Sequence, residues 1–102
     1  MADTPEKKVK KKVTEILKQN CAYYFYPVTG GYGMSGVPDL VCCFWGVFIG
    51  IECKAGNNKP TALQEQNLER IHAAGGITLV INEDNIHEVQ STLDKIKAKR
   101  IG

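Results

Sequence analysis

The sequence predicts an α/β domain, a mixed four-stranded sheet flanked by helices in the order α-β-β-β-α-β-α. Three observations carry this. Val9, Val13, Ile16 and Leu17 recur at helical spacing near the start. Two apolar runs flank Trp45-Gly46, the pattern of a hairpin. A further apolar run at 77–82 lies between two helical stretches and reads as a buried strand.

Each element has a local reason. Thr4 followed by Pro5 is a helix start, with Thr as N-cap and Pro at the first helical position, and the helix runs to about residue 19. Residues 22–28 are aromatic and read as a strand, and 29–36, with four glycines, as a loop. Residues 39–54 form the hairpin, and 56–60 a second loop. Thr61 can cap a helix to about residue 74, which Gly75-Gly76 stops. The last amphipathic helix covers about 85–99. No internal repeat, low-complexity segment or linker interrupts the chain, so residues 1–102 are expected to form one domain.

Composition narrows the function classes. With 43% hydrophobic and 24% charged residues, this is an ordinary globular chain. No apolar run approaches the roughly 20 residues that span a bilayer, so no membrane partner is expected. The lysine-rich start is not followed by an apolar signal core, so secretion is not expected. Net charge is only +2, but it is unevenly placed. Lysines crowd both ends while the middle is acidic, an arrangement suited to a polyanion touching the rim of a metal-neutralised centre. A solvated lysine-rich surface would give the same pattern. The four cysteines include no C-x-x-C pair, and Cys42 and Cys43, adjacent on a strand, should point to opposite faces. They are expected to be small apolar side chains in a reducing compartment.

The hairpin brings chemistry together. With Trp45-Gly46 as a two-residue turn, Phe44 faces Val47, and counting outward sets Asp39 opposite Glu52. Directly opposed side chains have Cβ atoms about 4.5–5.5 Å apart. Lys54, two residues past Glu52, shares its face, and Cys53 points to the other. Facing carboxylates destabilise a sheet unless something compensates them, and a hard divalent cation, Mg²⁺ or Mn²⁺, does so. Such an ion can orient a phosphodiester and acidify a water, with Lys54 beside it. An ordinary salt bridge among the three side chains is the simpler alternative.

Gly36-Val37-Pro38-Asp39, then Glu52-Cys53-Lys54, resembles the PD-(D/E)XK nuclease motif. With the first helix, the glycine-rich loop, Lys59-Pro60-Thr61 and Gln64 in order, the chain is similar to the stand-alone VRR-NUC branch found in phages, related in core to Holliday-junction resolvases. The resemblance implies a restriction-endonuclease-like core and a homodimeric DNA endonuclease selective for branched structures. It also implies cytoplasmic action in a bacterial or phage-infected cell. It makes Asp39, Glu52 and the Cys53 main-chain carbonyl metal ligands, Lys54 the catalytic lysine and Gln64 a helix residue beside the site. A glutamate on the first helix should join them. Glu6 lies within about 60° of Val9 on the helical wheel whereas Glu15 points roughly 145° away from the apolar stripe, which favours Glu6. Lys59, Gly33 and Ser35 are the candidate substrate contacts. Two departures stand out: the Val-Arg-Arg triplet is absent, and Tyr23-Tyr24-Phe25-Tyr26 carries no lysine.

Other residues invite simpler readings. Tyr23, Tyr24, Tyr26 and Trp45 could stack on bases, though such residues more often fill a core or an oligomer interface. His72 and His87 are expected on helix surfaces. Rival functions are a non-catalytic DNA-binding module, a thiol redox protein and a nuclease acting on RNA.

Overall fold

The computed structural model describes residues 3–28, 33 and 35–101. Most of the glycine-rich loop expected at 29–36 lies outside them. The element order is α1 (Pro5–Gln19), β1 (Tyr23–Phe25), β2 (Leu40–Phe44), β3 (Val47–Cys53), α2 (Ala62–Ala73), β4 (Ile77–Ile81) and α3 (His87–Ile101). The sheet order is β1-β2-β3-β4. The first three strands are antiparallel, and β4 joins β3 in parallel after the α2 crossover. The sheet is therefore mixed, as the sequence predicts.

Both caps work as expected. The Thr4 hydroxyl accepts the Lys7 N–H at 3.2 Å, and Thr61 and Gln64 form a reciprocal capping box at the start of α2. Val9, Val13 and Leu17 form the buried stripe of α1 and meet Val89, Leu93 and Ile96 of α3 over one sheet face. That face presents Leu40, Cys42 and Phe44 from β2, Ile49, Ile51 and Cys53 from β3, and Ile81 from β4. The alternate residues of β3, Phe48, Gly50 and Glu52, point to the α2 side.

The hairpin register is the one the two-residue turn dictates: Phe44 pairs with Val47 and Leu40 with Ile51. Trp45 and Gly46 both have positive φ, 51° and 81°, as a type I′ turn requires. The tip lies near α3, where the Lys97 ammonium is 6.0 Å from the Trp45 ring centroid.

Two expectations need correction, and one choice left open is narrowed. The first strand is shorter than residues 22–28, pairing only opposite Val41–Cys43. Pro27, which has no N–H to donate, follows soon after. Its aromatics do not fill the core: Tyr23 is 72% exposed and Phe25 and Tyr26 about half exposed, as is Trp45. Tyr24 alone packs against the core. The last helix begins at His87 because Asn82 and Asn85 hold a turn ahead of it, Asn85 accepting the Asn82 N–H at 2.7 Å and Asn82 the Asp84 N–H at 2.8 Å. Among the described residues no helix is long and apolar enough to cross a membrane.

Candidate active site

Asp39 stands one residue ahead of β2, where the hairpin register continued outward sets it against Glu52. Its Oδ2 accepts the main-chain N–H of Cys53 at 2.9 Å. The approach to Asp39 is fastened to α2. Asn67, buried on α2, donates from Nδ2 to the Ser35 carbonyl at 3.1 Å and to the Leu63 carbonyl at 3.0 Å. Gly36 has φ +78°, and a Cβ there would lie 2.7 Å from Leu63 Cγ. Pro38 is buried over Gly50, where a Cβ would lie 3.1 Å from the proline Cγ and 2.8 Å from Ile71 Cδ1. A glycine in mid-strand thus lets α2 and the Pro38-Asp39 turn settle onto β3.

Glu52 is 1% exposed, and neither of its carboxyl oxygens has a hydrogen-bond partner. Burial raises its pKa to about 8, and Asp39 beside it adds to the rise, through the proton the two carboxyls could share and through its charge. That proton link exists only while one carboxyl is protonated; as two carboxylates the groups only repel. Lys54, half-buried, pulls the other way, and Glu6 adds to the rise. The Lys54 N–H donates to the Ile81 carbonyl at 2.9 Å, which ties its backbone to β4.

The first helix brings Glu6 and, unanticipated, Lys10. The Lys10 ammonium lies 3.6 Å from Asp39 Oδ1 and 3.9 Å from Glu6. Glu15 is exposed. The helix thus carries Glu6, through Lys10, towards Asp39, and leaves Glu15 in solvent.

The remaining candidates lie at varying remove. Gln64 is committed through Oε1 to the Thr61 N–H, 2.9 Å away, as half of the capping box. Gly33, Ser35 and Lys59 are exposed, the last on the loop before α2. All four cysteines are free. Burial lifts the Cys53 thiol to about 12 and Cys42 to about 11, the opposite of a reactive thiolate. A groove of about 640 Å³ between α2 and β4, lined by Leu68, Glu69, His72 and Val80 among others, includes none of Glu6, Asp39, Glu52 or Lys54.

Among the described residues, no three acidic, histidine or cysteine side chains gather into a complete metal cage. The donors present still suit a hard cation that keeps several waters. Two carboxylates converge, one of them with both buried oxygens unpartnered. A buried carboxyl without donors is the group whose charge a cation would compensate. Cys53, whose carbonyl the resemblance adds as a ligand, follows Glu52 along the strand.

Sequence reasoning missed three residues here. Lys10 sits one helical turn from Glu6, a spacing that pairs side chains, and Gly50 is a glycine inside a strand pattern, which signals a close approach. Asn67 carries no comparable signal.

No protein-family model matches the sequence, and no curated protein does. Solved structures share the fold, two of them as follows. One, described as "VRR_NUC domain", superposes with a TM-score of 0.71 at 24% identity, over 90% of this chain and 97% of the other. A second, "VRR_NUC domain protein", gives a TM-score of 0.62 at 17% identity, over 94% and 88%. The architecture of the chain is that of the VRR-NUC domain, a restriction-endonuclease-like core.

Proposed function

We propose that this chain is a divalent-metal-dependent DNA endonuclease of the VRR-NUC type, hydrolysing phosphodiester bonds. The observation that carries the reading is Glu52, a buried carboxyl with no protein partner set against Asp39. Asp39, Glu52 and the Cys53 carbonyl would hold Mg²⁺ or Mn²⁺, with Glu6 at the edge of the group. Bound there, the cation would neutralise phosphate charge and make a coordinated water more acidic. Lys54 would place the attacking water and offset charge building on the phosphate. Gln64 fixes the start of α2, and Lys59, Gly33 and Ser35, all exposed, would meet the nucleic-acid backbone.

One small domain has little surface for reading bases, so selectivity for junctions, flaps or branches is the natural form of its specificity. A homodimer would put two sites on one junction and would cover the open aromatic edge of β1, where Tyr23 and Phe25 are exposed.

The test is cleavage of labelled four-way junction, flap and linear duplex DNA by wild type and Glu52→Ala, with Mg²⁺, Mn²⁺ or chelator. Metal-dependent cutting that vanishes in the variant is expected, with branched DNA cut first. Equal, metal-independent binding by both proteins without cutting would leave a DNA-binding module instead. That second reading has one observation in its favour, since Lys10 already supplies a cation to Asp39.

A further inference from the structure

Asp39 presents its two oxygens to different partners. Oδ2 is occupied by the Cys53 N–H. Oδ1 is therefore the oxygen left for a cation, and Lys10 stands 3.6 Å from it. The same ammonium is 3.9 Å from Glu6, in the order along the helix that favours such a pair. Lys10 and a divalent ion would thus compete for one oxygen, and like charges that close repel strongly. The lysine side chain is 28% exposed, so it can leave Asp39 by turning about its own stem while α1 stays in place.

The charge balance gives that departure a destination. Fully ionised, Glu6, Asp39 and Glu52 outweigh Lys10 and Lys54 by one negative charge. A divalent ion turns the balance to one positive charge, the complement of a phosphodiester.

Resting on the nuclease reading above, we propose that Lys10 is the resident counter-cation of this centre and a phosphate ligand in waiting. It holds Asp39 while no metal is bound and is released to a backbone phosphate when the carboxylates take a divalent ion. Lys10 is a positioning residue in the first state and a substrate contact in the second. No side chain is consumed in the exchange; one ion pair is traded for another.

The experiment has two arms. In the first, Mn²⁺ alone is titrated calorimetrically into wild type, Lys10→Met, Lys10→Arg and Lys11→Met. Methionine keeps the length and packing of the stem without the charge. Lys11, which pairs with Asp3, controls for removing any positive charge from this helix. Lys10→Met should bind Mn²⁺ roughly two- to fivefold more tightly, the worth of one part-exposed ion pair. Lys10→Arg and Lys11→Met should match wild type. In the second arm, a labelled duplex is bound by wild type and Lys10→Met, in chelator and in Ca²⁺. Lys10→Met should bind less well in Ca²⁺ and equally well in chelator, where the wild-type lysine is engaged by Asp39.

If Lys10→Met and wild type bind Mn²⁺ alike, or Lys11→Met tightens binding as much, Lys10 is not the competing cation. If DNA binding falls equally in both conditions, Lys10 is an ordinary phosphate contact and the exchange is wrong. A wild type that takes up no Mn²⁺ removes the metal centre itself, and this inference with it.

Discussion

Asp39 and Cys53 are joined across the open end of the hairpin, side-chain oxygen to main-chain N–H, at 2.9 Å. Asp39 is therefore both a candidate metal ligand and a strand cap, and the two roles separate by substitution. An asparagine in its place would keep an oxygen for the Cys53 N–H, whereas an alanine would leave that donor unpaired, at about 1–3 kcal/mol. Asp39→Asn should unfold near the wild-type temperature yet show no Mn²⁺-induced stabilisation. Asp39→Ala should lose both. Equal unfolding temperatures for the two variants would mean that the cap contributes nothing.

Glu52 predicts how stability follows pH. Its pKa in the fold, about 8, lies above the ordinary 4.5, so the folded chain favours the neutral carboxyl. Its contribution is full below about pH 4.5 and is lost as pH rises towards 8, at about 1.4 kcal/mol per unit. Without metal, Glu52→Gln should unfold at a progressively higher temperature than wild type as pH rises from about 5 to 8 and hold that advantage above it. Added Mn²⁺ should reverse the ranking at high pH, because only the wild type keeps this carboxylate ligand. A temperature gap that does not change with pH would rule this account out.

Gly50 should tolerate no side chain. An alanine there would press on Ile71, which can turn aside, and on the Pro38 ring, which cannot. The overpacking should destabilise by about 1–3 kcal/mol. It should also weaken Mn²⁺ binding, since Asp39 follows Pro38 directly. Chemical denaturation and metal titration of Gly50→Ala measure the two effects; a stability loss with unchanged metal affinity would detach Pro38 from the placement of Asp39.

Gln64 can be assigned to capping or to catalysis. Glutamate serves equally well at that position of a capping box. If the cap is its role, Gln64→Glu should retain both stability and cleavage, while Gln64→Ala should lose about 1 kcal/mol. Loss of cleavage in Gln64→Glu at unchanged unfolding temperature would instead show that the amide meets the substrate.

Much of this was legible in the residues because local rules governed it. Thr4-Pro5, Thr61 with Gln64, and Trp45-Gly46 each state an element boundary by their own chemistry, and the hairpin turn alone sets Asp39 against Glu52. What local rules do not reach is contact between distant segments. Lys10 meets Asp39, and Asn67 meets Ser35, only because α1 and α2 pack where they do. The aromatic first strand stayed open between two readings for a related reason. Tyr23 and Phe25 suit a core or an interface equally by residue type, and only the fold shows that β1 is the sheet's edge with one side open.

The two-residue hairpin tip makes this protein more vulnerable to changes in length than to changes in identity. One residue gained or lost at Trp45-Gly46 would rotate every later position of β3 by one place. Cys53 would then turn towards α2 and Glu52 into the apolar core, with both residues still present in the sequence. Homologues should therefore substitute freely along the exposed positions of the hairpin while preserving the count between the two carboxylates. A survey of indels should find this segment silent even where neighbouring loops vary.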